Sequence, residues 1–182
     1  MQGILGYWIR GKTLSKCQAK AKEILVLENN LLGLSFDQKT GNLTSLQNKL
    51  TKETYHISGD EFVVEAEEFR HTFADATLTS LFLRGEALEA RYQSGGTTIE
   101  VTYALHGENH LAEKQIILTS KCNYGFKNLV ISRMSFSAAG LKIVPYRYQK
   151  NVTYFGRTPN GGFFTGVELP FDASSVNGKQ II

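Results

Sequence analysis

Two carboxylates near the carboxy-terminal end, Glu168 and Asp172, stand four positions apart around Pro170. Hydrolysis of a glycosidic bond uses a pair of carboxylates held across that bond, one as acid and one as base or nucleophile. Histidines supply the other general acid–base candidates, and His106 and His110 lie close together across Gly107-Glu108-Asn109. That spacing fits a hairpin turn better than one face of a helix, so nothing in it fixes a catalytic pair. The Glu65, Glu67 and Glu68 group is read as exposed glutamates along a strand.

Binding chemistry is easier to place than catalysis. In Arg157-Thr158-Pro159-Asn160-Gly161-Gly162-Phe163-Phe164-Thr165-Gly166-Val167-Glu168-Leu169-Pro170-Phe171-Asp172 a glycine-rich turn leads into a short aromatic strand, and Pro170 ends it. Alternation puts Phe164, Gly166 and Glu168 on one face and Phe163, Thr165, Val167 and Leu169 on the other. Gly166 leaves room beside an aromatic ring and a carboxylate, which suits a sugar through stacking and a hydroxyl hydrogen bond. The plainer reading is an edge strand whose Glu168 pairs with Arg157. Just upstream, Tyr146-Arg147-Tyr148-Gln149-Lys150-Asn151-Val152-Thr153-Tyr154-Phe155 mixes amphipathic rings with basic donors. Arg147, Tyr148, Tyr154 and Phe155 are expected to face a glycan or to cover another protein domain.

These residues must be carried by strands. Ile24 to Phe36 holds material for one or two, and Asp37-Gln38-Lys39-Thr40-Gly41 supplies a hairpin turn before Leu43 to Leu46. Ser58-Gly59-Asp60 reads as a turn before a strand from Phe62 to Glu68. Thr77 to Arg84 and Glu86 to Tyr92 are parted by Gly85. Ile99, Val101, Tyr103 and Leu105 alternate with Glu100 and Thr102, a period of two that defines a strand. His110 to Ser120 follows, making 97–120 a hairpin. Leu129 to Phe136 reads as one strand apolar on both faces, with Val130, Met134 and Phe136 on one side and Leu129 and Ile131 on the other. The expected architecture is all-β, an antiparallel β-sandwich over 24–182, preceded by residues 1–23 as a leader or short helix.

The pieces Leu27-Glu28-Asn29-Asn30-Leu31-Leu32-Gly33-Leu34-Ser35-Phe36, Asp37 to Leu46, His110 to Ser120 and Gly161 to Phe171 together resemble the β-supersandwich of galactose-mutarotase-like domains, found at the amino-terminal side of glycoside hydrolases. The resemblance spans about residues 24 to 172. It implies a noncatalytic, carbohydrate-associated accessory domain beside a polysaccharide-degrading catalytic domain, in a periplasmic or extracellular setting. A complete supersandwich is considerably longer than 182 residues, so a partial or reduced version is implied. Members that epimerise sugars use histidines and a glutamate, and this leaves a sugar epimerase or hydrolase using Glu168 as one alternative and a structural interaction module as another.

Composition narrows the partners. Twenty basic residues against 17 acidic ones give a net charge of +3, scattered apart from Lys12, Lys16, Lys20 and Lys22, which does not make a nucleic-acid face. A glycan, a catalytic domain or a second copy of the chain remain as partners. Ile4 to Ile9 is too short to span a bilayer, and its place before Arg10 and Lys12 makes a poor signal peptide. Cys17 and Cys122 lack metal-ligand spacing and are read as isolated thiols, with a disulfide open only to an exported protein. No H-E-x-x-H, C-x-x-C or phosphate-loop pattern occurs, so neither cofactor nor metal is implied.

Overall fold

The computed structural model describes residues 23–67, 69–107, 110–121, 126–148, 151–166, 176–177 and 180–181. Residues 1–22 of the expected leader, both cysteines, Glu68, Glu168 and Asp172 lie outside them.

Seventeen strands are present among the described residues. They are β1 (Ile24–Glu28), β2 (Leu32–Asp37), β3 (Leu43–Asn48), β4 (Glu53–Asp60), β5 (Val63–Ala66), β6 (Arg70–Thr72), β7 (Thr77–Arg84), β8 (Ala87–Ser94) and β9 (Thr97–Leu105). There follow β10 (Ala112–Ser120), β11 (Phe126–Val130), β12 (Arg133–Ser137), β13 (Lys142–Tyr148), β14 (Asn151–Arg157), β15 (Gly162–Thr165), β16 (Val176–Asn177) and β17 (Gln180–Ile181). A single 3-10 turn, Phe73–Asp75, sits between β6 and β7. No helix among the described residues is long and apolar enough to cross a membrane.

The strands form four open antiparallel sheets. One runs β1-β2-β3-β4-β12-β17-β16, a second β10-β9-β8-β7, and two three-stranded sheets run β11-β5-β6 and β13-β14-β15. The first two pack on each other. Leu34, Phe36, Leu43, Tyr55 and Phe136 from the large sheet share one buried cluster with Leu88, Tyr92, Ile99, Val101 and Tyr103 from the four-stranded sheet. Phe36 and Tyr103 meet across that seam with ring centroids 5.0 Å apart. Burial of such side chains on two facing sheets is what holds a sandwich together.

Local chemistry accounts for the clearest elements. In β9 every odd residue from Thr97 to Leu105 is buried and every even one is only partly covered, as the alternation requires. Asp37 Oδ1 accepts the amide hydrogens of Lys39 and Thr40, closing the β2–β3 turn, and Gly41 takes φ +74° there. A Cβ on Gly41 would come within 2.3 Å of the Tyr92 hydroxyl, so the position also needs glycine for space. Asn29 breaks Ile24–Phe36 into two strands, its side chain accepting from the Leu31 and Leu32 amides.

Two expectations are corrected. Ser58-Gly59-Asp60 is not a turn: it continues β4, paired with Ser135, Met134 and Arg133 of β12. Gly59 is glycine because φ is +137° and a Cβ would fall 1.9 Å from the Arg133 carbonyl oxygen. Leu129–Phe136 is not one strand either. It breaks at Ile131-Ser132, β11 pairing with β5 and β12 with β4, so the apolar residues on both faces serve two different sheets.

Candidate functional site

The run beginning at Arg157 forms the β14–β15 hairpin, with Arg157 paired to Gly162 and Phe155 to Phe164. Its turn closes through the Thr158 amide donating to the Gly161 carbonyl at 3.0 Å and the Gly161 amide donating to Thr158 Oγ1 at 3.1 Å. Glu53 of β4 anchors this turn to the large sheet. Its carboxylate accepts from the hydroxyls of Thr158 (2.5 Å), Tyr55 (2.7 Å) and Thr51 (3.1 Å). The Thr158 bond foremost, then that of Tyr55, holds the Glu53 carboxyl below its ordinary range, while burial and then Glu53 push the Tyr55 phenol up to about 12. Gly161 and Gly162 serve close approach. A Cβ at 161 would lie 2.8 Å from Thr51 and 2.9 Å from Glu53, and one at 162 would lie 2.3 Å from the Gly156 carbonyl oxygen.

The two faces of this small sheet are sharply different. Phe163 turns inward, stacked on Phe136 at 4.5 Å and edge-on to Tyr55 at 5.0 Å. Phe164 turns outward with 59% of its surface exposed, 6.4 Å from Phe155. Val144, Phe155 and Phe164 stand opposite one another in register and make a partly exposed apolar row across β13, β14 and β15, with exposed Arg157 and Lys142 paired beside it. Tyr154 is a correction. It is a core residue at 4% exposure, because successive strand residues face opposite ways and Phe155 takes the outer side. Arg147 and Tyr148 lie in β13 opposite Val152 and Asn151. Among the expected binding residues whose side chains are described, Phe155, Arg157 and Phe164 share one outer face.

The histidine candidates lie at the β9–β10 connection. His106 Nε2 lies 2.6 Å from Glu113 Oε2, both exposed, across the β9–β10 connection, and His110 is exposed in that connection. Such an exposed pair contributes little on its own. Among the described residues no group of three or more His, Cys, Asp or Glu could hold a metal ion. Glu65, partly covered in β5, pairs with Arg70 at 2.8 Å, and Glu67 is exposed beyond the end of that strand.

Sequence reasoning passed over a larger surface, the outer face of the four-stranded sheet. Register sets Phe82, Glu89, Thr102 and Gln115 in one row across β7, β8, β9 and β10, and Ser80, Arg91, Glu100 and Ile117 in the next. Residues of both rows, with Arg84, line a depression of about 430 Å³. Phe82 is 51% exposed and carries the Arg84 guanidinium 5.5 Å from its ring centre, while Arg91 and Glu100 form an ion pair at 2.5 Å. The sequence signal for this face is the polar Thr98, Glu100 and Thr102 that alternate with the buried residues of β9.

One charged cluster lies inside. Glu61, 1% exposed, accepts from the Leu43 amide, the Tyr103 hydroxyl and Lys114 Nζ, each at 2.6 Å. Lys114 also donates to the Glu61 carbonyl at 2.6 Å and to Ser132 Oγ at 2.9 Å, which occupies its three protons. Burial pulls the Lys114 pKa down, with Glu61 acting the other way, and burial followed by Glu61 raises Tyr103. No polar side-chain atom of this cluster is left without a partner, and through it the start of β3 is fastened to the four-stranded sheet.

No family model, no curated protein and no solved structure matches this chain.

Proposed function

We propose that the protein is a noncatalytic, carbohydrate-associated β-domain that holds a glycan on the outer face of its four-stranded sheet, in the manner of an accessory module beside a polysaccharide-degrading enzyme. The observation that carries this reading is the half-exposed Phe82 ring beside Arg84, in line with Glu89, Thr102 and Gln115. A flat apolar ring meets the C–H face of a sugar, and the carboxylate, hydroxyl and amide match its hydroxyls as acceptors and donors. The resemblance to galactose-mutarotase-like supersandwich domains points the same way. The epimerase or hydrolase alternative would need Glu168 beside a histidine or Asp172, and both acids lie outside the described residues.

A glycan array probed with the protein and with Phe82→Ala tests the proposal. The expected result is binding to a subset of glycans that is lost in the variant while its thermal unfolding is unchanged. Binding that survives Phe82→Ala would remove the site, and no binding to any glycan would remove the carbohydrate role.

A second reading, a docking module for another protein domain, is favoured by the Val144–Phe155–Phe164 row. An outward apolar row of this kind marks a protein contact when it is continuous. Loss of association with a catalytic domain in Phe164→Ser would support it.

A further inference from the structure

His71 is buried where its chemistry is poorly served. It lies on β6 opposite Val64 of β5, its ring 4.2 Å from that of Phe69 at an interplanar angle of 31°. Nδ1 sits 2.8 Å from Ser94 Oγ at the end of β8. Nε2 is buried with no hydrogen-bond partner, and so is the hydroxyl of Thr97, which stands opposite Ser94 in register. The far edge of the ring presses on the tight β8–β9 turn, where Gly95 and Gly96 both take positive φ, and a Cβ on Gly95 would lie 2.5 Å from His71 Cε1. The neutral ring fits this setting when Nδ1–H donates to Ser94 and Nε2 keeps only a lone pair. Protonation would add a buried N–H without an acceptor and a charge without solvent.

We propose that His71 is an acid-released latch: neutral, it ties the β5–β6 ribbon to the β8–β9 turn, and protonated, it lets them part. The groups around it give the proton little support. From the turn side come Ser94, Gly95, Gly96 and Thr97, all uncharged, and from β5 comes Val64. On the ribbon, Glu65 and Arg70 are engaged with each other. Asp75 in the 3-10 turn is the charge that acts on the ring, and its carboxylate already accepts from Thr72 Oγ1 at 2.6 Å.

Burial lowers the His71 pKa more than Asp75 raises it. The opened state therefore binds more protons between the folded pKa and the ordinary histidine value of about 6.5. Closure is complete above that ordinary value and is lost as pH falls through the lowered folded pKa. Opening would uncover the adjoining aromatic trio, in which Phe73 packs edge-on to Phe62 and Tyr92 at 5.8 and 5.6 Å.

The test is a nuclear magnetic resonance titration of the full chain from about pH 8 to about pH 4.5, following the His71 ring and the amide hydrogen exchange of each strand, corrected for intrinsic rates. The expected result is a His71 midpoint below the ordinary histidine value of about 6.5. Loss of protection at 63–67, 69–72 and 94–97 should accompany it, while 32–37 and 99–105 stay protected. In His71→Gln, which keeps a donor for Ser94 but cannot charge, that loss should vanish. Should His71→Gln fail to fold, Asp75→Asn replaces it; it removes the charge that supports a protonated ring in the closed state and is expected to move the opening to higher pH. Opening at unchanged pH in whichever variant folds, or no selective loss of protection in the native chain, overturns the latch.

Discussion

Glu53 and Glu61 are both glutamates that gather several hydrogen bonds, yet they hold different parts of the molecule in different ways. Glu61 is sealed between the two main sheets and meets a lysine that is itself almost covered, at 11% side-chain exposure. Glu53 sits at the rim of β4 and collects hydroxyls from Thr51, Tyr55 and Thr158. A buried pair is costly to break from one side, because the partner is left as an uncompensated charge. A rim carboxylate loses little when its partners can turn to water. The comparison separates a fastening of the core from a fastening of a loop.

The largest expected effect follows from Glu61→Ala, which leaves Lys114 charged and buried and should cost about 3–5 kcal/mol in urea unfolding. Replacing both partners, Glu61→Leu with Lys114→Met, should be less destabilising than Glu61→Ala alone, and a double variant as unstable as the sum would show that the cluster is not one unit. Tyr154→Ala removes a core ring and should cost about 3–5 kcal/mol, whereas Phe164→Ala should stay within about 0.5 kcal/mol, by the same measurement. Gly162→Ala forces a methyl toward the Gly156 carbonyl and should cost about 1–3 kcal/mol. Smallest is Glu53→Gln, which should detach the 158–161 turn, seen as faster amide exchange there, with a slight fall in the urea midpoint. Because the Glu53 pKa is lowered by folding, its contribution is present above the ordinary carboxylate range and fades as pH drops through the lowered value. An acid titration of Glu53→Gln should lack that part of the loss.

The same contrast explains what could be read from the chain. Where one face is buried and the other wet, as in Ile99 to Leu105, alternation alone fixes strand and faces. The hairpin over 97–120 and the Gly41 and Gly85 turns were legible for the same local reason. Gly59 looked like a turn residue because a glycine needed for a close interstrand approach has the same letter as one needed for a bend. Tyr154 and Phe155 are neighbours of similar chemistry, so composition put both outside, and only the pairing with Thr165 and Phe164 divides them. The partners of Glu53 and Glu61 were illegible. Thr158 is 105 positions from Glu53 and Lys114 is 53 from Glu61, contacts that no local pattern encodes.

The most direct test of the glycan face is a chemical-shift titration of the native protein with a glycan that it retains on an array. Perturbations centred on Phe82, Arg84, Glu89, Thr102 and Gln115 are expected, with the β13–β15 sheet silent. Shifts centred instead on Phe155, Arg157 and Phe164 would contradict the assignment and return the site to the carboxy-terminal hairpin.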